Sequence, residues 1–362
     1  VTDENGQMTG LLKERACTYM WDKVMYTKEE YMRAFKTAND MFLRCGITSV
    51  HDASFYGSDT IGLYQEACET GIIDVRMYVL LYHACGKEKT IEWVNDFIKT
   101  GIRGGLGNEH FRLGHVKILI DGSTSGPSCA VSRPYEHDPA LEGIQLYTQE
   151  EADAVLIPAH NAGFNITAHA VGDKAVDVIL SSIEKAQKLN PRPCRHRIEH
   201  CAIIDDEIID RLKKANVTVV SNPGFFIDNA AMYIKYYGDR VNCMFPLKSY
   251  LDKGIITAIG SDTPVIEPDP MIGIYTAVKR ADSDGTVAGA CQQIGIMDAI
   301  RMYTYNGAYA SLEEGIKGSI EPGKLADLVV LSDNILEAQP EEIMNIKTDI
   351  TMIDGRIKYE RI

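Results

Sequence analysis

FNITAHAVGDKAVD, residues 164–177, carries the pattern on which the fold turns. Apolar residues alternate with polar ones up to His169, and Gly172-Asp173 then opens a helix-patterned run. A buried strand that stops on an imidazole and passes straight into a helix is one β-α step. A single strand-end histidine says little, because such residues are commonly hydrogen-bonded core groups. Whether it means more depends on how the other strands end.

Working outward, β-branched apolar runs recur at 47–51, 75–82, 115–120, 197–201, 217–221 and 256–260. Cys45-Gly46, Ala162-Gly163 and Lys253-Gly254 are helix stops placed before three of the strands. Thr27 with Glu30, and Thr148 with Glu151, each fit a capping box. Ala152, Val155, Leu156 and Ala159 follow the i, i+3, i+4, i+7 spacing of an amphipathic helix, and 173–186 and 296–310 are helical too. Strands alternating with helices predict an α/β fold with a parallel sheet. Seven strands fall one short of a (β/α)8 TIM barrel. The competing architecture is a doubly wound open sheet, which the lack of a G-x-G-x-x-G after the first strand disfavours. From about residue 311 the texture changes. SLEEGIKGSIEPGKLADLVVLSDN (311–334) and TDITMIDGRIKY (348–359) read as short strands joined by Pro-Gly and Asp-Gly turns. The division expected is a linker or insertion remainder at 1–27, a barrel at 28–310 and a small β-sandwich portion at 311–362.

Composition sets limits on partners. At 362 residues, 45% hydrophobic and 24% charged, the chain is an ordinary globular one. Its net charge of -14 argues against nucleic acid or an anionic membrane surface. No apolar run approaches the roughly 20 residues of a membrane-spanning helix. The nine cysteines are scattered without a C-x-x-C pair, which reads as free thiols and a cytoplasmic location. The opening VTDENGQ lacks an initiator Met and any signal pattern, and it begins on a turn as if cut from a longer protein.

In a barrel of this type chemistry gathers where strands finish. HVKILIDG (115–122) carries Lys117, the opening stretch ends on His169, HRIEHC (196–201) holds His200, and ITAIGSDTP (256–264) reaches Asp262. Imidazole and carboxylate are preferred ligands of a catalytic zinc or similar divalent ion. Asp262 so placed could also move a proton between water and a leaving group. The bland readings are a core histidine for His169 or His200 and a turn or helix cap for Asp262. Lys117 lies among Val, Ile and Leu, so it must meet a carboxylate, reach the rim or be chemically altered. A rival motif overlaps: His196-Arg-Ile-Glu199-His200 matches the H-x-x-E-H of inverted zinc proteases. That chemistry needs a helix. On a strand the two histidines lie about 13 Å apart, too far for one ion.

DENGQMTGLLKE (3–14), VKILIDGSTSG, ITAHAVGDKAVD, HRIEHC, GSDTPV and the tail EEGIKGSIEPGKLADLVVLS together resemble the amidohydrolase superfamily, and within it the YtcJ-like group that includes N-substituted formamide deformylases. The resemblance runs over nearly the whole chain. It implies a metal-dependent hydrolase on a (β/α)8 barrel. Lys117 would be the carboxylated strand-four lysine bridging two metals. His169 and His200 would be ligands on strands five and six. Asp262 would be the strand-eight aspartate that binds metal and shuttles the proton. The H-x-H of the family's first strand is absent here, so that strand is expected in a missing N-terminal segment.

The resulting expectation is hydrolysis of an amide-type C–N bond in a small molecule of the N-acyl or N-formyl amine class, with one or two divalent ions, zinc foremost. The loops 121–126 and 222–226 are expected to line the pocket, with Asp121, Ser123, Asn222 and Phe225 as substrate contacts and Phe225-Phe226 favouring an apolar group. The alternatives are a non-catalytic remnant that binds without turnover and the zinc protease above. Assembly as a homodimer is left open.

Overall fold

A computed structural model describes residues 2–11, 26–53, 58–82 and 86–362. Residues 12–25, most of the expected linker, lie outside the described residues. Seven strands make one parallel sheet in sequence order: β1 (Ser49–Asp52), β2 (Arg76–Leu81), β3 (Phe111–Leu119), β4 (Ile166–Ala170), β5 (Arg197–His200), β6 (Thr218–Ser221) and β7 (Thr257–Ile259). Each pairs with its neighbour in sequence, and among the described residues β1 and β7 are the free edges. The helices α1 (Lys28–Arg44), α2 (Ser58–Glu69), α3 (Lys87–Lys99), α4 (Gln149–Asn161), α5 (Asp173–Leu189), α6 (Asp206–Lys214) and α7 (Phe226–Tyr237) alternate with them. This is the curled sheet of a TIM barrel with seven of eight strands, as the alternation predicts.

Local chemistry explains the boundaries. At the start of α1 the Thr27 side chain accepts from Glu30 N–H (3.2 Å), and the Glu30 carboxylate accepts from Thr27 N–H (2.7 Å). Thr148 and Glu151 repeat the exchange at α4 (2.9 and 3.3 Å). Each box satisfies two backbone donors that a helix start leaves bare, roughly 1 kcal/mol apiece. Gly46 closes the turn after α1 at φ 76°, where a Cβ would stand 2.7 Å from a Val329 methyl. The run 296–310 differs from expectation: it is two helices, Ile296–Tyr303 and Tyr305–Ala310, broken at Thr304. There Asn306 donates to Thr257 O on β7 at 2.8 Å, drawing the second helix to the sheet.

Strand alternation separates two environments. Val116, Ile118, Ile166, Ala168 and Ile198 face outward into the core beneath the helices. Their neighbours Lys117, Thr167, Arg197 and Glu199 are also buried. Period-two geometry turns them to the barrel interior. That interior is therefore polar, unlike the branched apolar layers of most such barrels.

The tail forms a separate antiparallel sheet of β8 (Leu328–Leu331), β9 (Thr348–Ile353) and β10 (Arg356–Glu360), in the order β10-β9-β8. Asp354 (φ 52°) and Gly355 (φ 71°) make the two-residue hairpin between β9 and β10. Arg76, at the start of β2, moors this sheet to the barrel. It is buried, grips Asp327 with two bonds (2.6 and 2.9 Å) and also pairs with Asp354. Thr351 adds a hydrogen bond to Leu43 O (2.6 Å). No helix among the described residues is long and apolar enough to cross a membrane.

Candidate active site

Parallel register aligns the chemistry at one end of the sheet. Leu119 stands opposite His169, His169 opposite Glu199, and Ala170 opposite His200. His200 ends β5 at φ 71°, a left-handed conformation. That twist breaks the alternation, so Glu199 and His200 both line one cavity of about 750 Å³. Lys117, Arg197, Asn222 and Asp262 share its wall, and it runs on along the gap between β1 and β7. Asp262 is likewise left-handed, at φ 57°.

Hydrogen bonds fix which ring nitrogens are available. His169 Nε2 lies 2.9 Å from Gly122 O. A carbonyl only accepts, so Nε2 carries the proton and Nδ1 keeps a bare lone pair. For His200 the case is reversed. Asn222 Nδ2 donates to Gly260 O (2.8 Å), so its Oδ1 faces His200 Nδ1 at 2.7 Å and accepts a proton from it. Nε2 of His200 is then the bare nitrogen. The two rings meet edge to face with centroids 4.5 Å apart. Burial, with the charges of His200 and Lys117 adding to it, pushes His169 down to about 3; burial and Lys117 bring His200 down to about 4. Both are neutral imidazoles near pH 7, the form that binds metal.

Lys117 is buried and donates to Ala53 O at 2.8 Å. No carboxylate of the described residues forms an ion pair with it, and burial lowers its pKa despite the pull of Glu199 and Asp262. Asp262 stands at the rim. Desolvation raises its carboxyl against Lys117 and His169, and its exposure to solvent there tempers the rise. Lys117, His200 and Asp262 thus line one pocket, and His169, whose ring meets that of His200, acts on Lys117 and Asp262 from beside it. Their donor set suits a divalent ion.

The expected substrate contacts are placed otherwise. Both oxygens of Asp121 are engaged: they accept from Val171 N–H (3.0 Å), Gly172 N–H (2.9 Å) and Ala130 N–H (3.0 Å), with His169 Nε2 3.5 Å away. Asp121 therefore pins its own loop to the end of β4, while Gly122 O orients His169. Asn222 has both polar atoms committed. Ser123 is exposed and accepts from Gly126 N–H (3.0 Å). Phe225 packs 6.1 Å from the His200 ring. Phe226 is fully buried against Tyr233 and Arg280, so it is core rather than pocket lining.

The protease reading is overturned. Arg197–His200 is a strand, and His196 serves the opposite end of the sheet. His196 Nδ1 accepts from Ile166 N–H (3.0 Å), so its Nε2–H donates to His160 Nδ1 (3.0 Å), and His160 Nε2–H donates to Asn190 O (2.9 Å). With Cys194 these two form the one group of three potential ligands within 4.8 Å among the described residues. Every ring nitrogen in it is already occupied, and an ion at His196 Nε2 would have to displace the relay proton. His169, His200 and Asp262 stand farther apart than that, but their lone pairs are open.

The sequence profile of the amidohydrolase family matches residues 1–359. The chain belongs to the amidohydrolase family. YtcJ of Bacillus subtilis (strain 168), described as an amidohydrolase, is 29% identical over 372 residues, covering 100% of this chain and 68% of that protein. The N-substituted formamide deformylase of Arthrobacter pascens is 26% identical, covering 99% of this chain and 67% of its own. A metal-dependent hydrolase of Pyrococcus horikoshii OT3 superposes with a TM-score of 0.80 at 25% identity, over 94% of this chain and 67% of that one. This amidohydrolase chain spans about two thirds of the length of the relatives it matches.

Two residues of the amidohydrolase pocket escape a reading of strand ends. Glu199 Oε1 accepts from Arg197 Nε (2.7 Å) and Thr167 Oγ1 (2.8 Å), a charge pair buried under Lys117. Arg-x-Glu at strand spacing is the signal that puts both side chains inside the barrel.

Proposed function

We propose that the parent protein hydrolyses amide-type C–N bonds of the N-acyl or N-formyl amine class with the help of a divalent metal, zinc foremost. One observation carries this reading: His169 Nδ1 and His200 Nε2 are left as bare lone pairs, His169 within electrostatic reach of Asp262 and Lys117 and His200 of Lys117. A divalent ion held by His169, His200 and Asp262 supplies water activation and carbonyl polarisation when bound. Asp262, at the rim and reachable by solvent, takes the proton of the attacking water and delivers it to the leaving amine. Lys117 would balance charge only as a carbamate, formed when its neutral amine adds CO2 and loses a proton to solvent, where a second ion binds. Glu199 and Arg197 hold the floor of the pocket rigid. Relatives point the same way: one is named a formamide deformylase, and others imidazolonepropionase and 5-methylthioadenosine/S-adenosylhomocysteine deaminase, all acting on C–N bonds. The edges of β1 and β7 are where an eighth strand, proposed to come from the part of the relatives' length that this chain does not span, would pair.

The test uses the full-length protein. Metal content is measured, and turnover is followed on a panel of N-formyl and N-acyl amines with and without chelator. Chelator-sensitive release of amine is expected. Bound metal without turnover on any amide would favour the binding-only alternative, and a protein that takes up no metal would sink both.

A further inference from the structure

We infer that Asn222 is a positioning residue which sets the ring state of His200 and couples it to the segment bearing Asp262. The inference rests on His200 being a metal ligand, as proposed above. Asn222 follows β6, between the strands that carry His200 and Asp262. Its amide has one orientation open to it. Gly260 O, two residues before Asp262, can only accept, so Nδ2 must face it (2.8 Å). Oδ1 is then turned to His200, 2.7 Å from Nδ1. An amide oxygen has no proton to give, so Nδ1 donates and Nε2 is stripped of its hydrogen on the pocket side. A neutral imidazole without this partner is free to carry its proton on either nitrogen, and a proton on Nε2 blocks coordination there.

The amide is itself held. Asn222 is 4% exposed, its carbonyl accepts from Phe225 N–H (3.1 Å), and Pro223 restricts the backbone of Asn222 before it. The Phe225 ring, 6.1 Å from that of His200, closes the space in which the imidazole could turn. One side chain thus spans three strands, and both of its polar atoms are used.

Partners of this kind typically contribute 10- to 100-fold in metal affinity. The experiment takes full-length wild type, Asn222→Leu and Asn222→Asp. It measures the zinc Kd by chelator competition and the ring protonation of His200 by long-range 15N–1H spectra of the metal-free protein. The expected result is an Nδ1–H ring in wild type, and in Asn222→Leu a mixed ring with a Kd weaker by about 10- to 100-fold. Asn222→Asp keeps an acceptor oxygen and is expected to keep the Nδ1–H ring. Activity of Asn222→Leu should recover at saturating zinc with KM unchanged. An Nε2–H ring in wild type overturns the inference, and so does an Asn222→Leu protein that binds zinc like wild type. If the leucine variant does not fold, the wild-type and aspartate spectra decide alone. A wild type that binds no zinc defeats the proposed function, while the ring spectra still judge Asn222.

Discussion

His196 and His200 sit on the same five-residue stretch at opposite ends of β5, and the contrast between them separates structure from function. Both are buried, and burial lowers both pKa values, to about 3 for His196 and about 4 for His200. By burial and pKa alone they look alike. At the lower end, His196 has both nitrogens spent in the relay from Ile166 N–H to Asn190 O. His115, also at that end, is closed in the same way, between Tyr78 OH (3.0 Å) and Arg195 O (2.9 Å). At the upper end, His169 and His200 each have one nitrogen held and one bare. An uncommitted lone pair, not a shifted pKa, distinguishes the end suited to chemistry.

The largest expected effect lies at the upper end. Asp262→Asn in the full-length enzyme is predicted to lower kcat by about 10²- to 10⁴-fold, the range of lost proton transfer, with little change in Tm. Steady-state kinetics beside thermal unfolding checks this, and a Tm loss in step with kcat would erase the contrast. Next comes Arg76→Ala at the lower end. It strands the Asp327 carboxylate and is predicted to cost about 3–5 kcal/mol by denaturant unfolding, a loss that belongs to stability alone.

His196→Gln is predicted to cost about 1–3 kcal/mol while metal content stays at the wild-type value. The pH dependence sharpens the point. Burial first, then His160 and Arg192, hold folded His196 at about 3 against an ordinary 6.5. Between those values the unfolded chain binds more protons than the folded one. The stability due to neutral His196 is therefore complete above about 6.5 and lost as pH falls towards 3, by up to about 1.4 kcal/mol per pH unit. Urea titrations of the metal-free protein from pH 7 to 4 should show a shallower acid limb in His196→Gln than in wild type. The smallest effect is expected for Thr351→Val, which removes the bond to Leu43 O and should cost about 1 kcal/mol with activity intact.

Much of this was legible before any coordinates. Period-two runs located all seven strands to within a few residues, and both capping boxes form as their spacing predicts. His169, His200 and Asp262 stand out because each falls where a strand runs out, and Lys117 because it is a lysine among the apolar residues of β3. What could not be read is who bonds to whom. Asp121 meets Val171 and Gly172 some fifty residues on, and Asn222 meets Gly260 and His200 across two strands. Such partners follow from tertiary register, to which local pattern is blind. Phe226 departs from expectation for a related reason: an aromatic side chain after a strand looks the same whether it faces pocket or core.

The left-handed backbone at His200 and Asp262 bears on how such a centre can drift. Apart from glycine, Asn, Asp and His adopt that conformation most readily, whereas β-branched side chains resist it. Random substitution at these two positions is thus filtered by the main chain before selection acts on activity. The residues that pass most easily offer a nitrogen or oxygen donor, or, as glycine, no side chain at all. Ion preference can therefore shift by single exchanges without refolding the barrel, and the least disruptive way to silence the centre is a glycine.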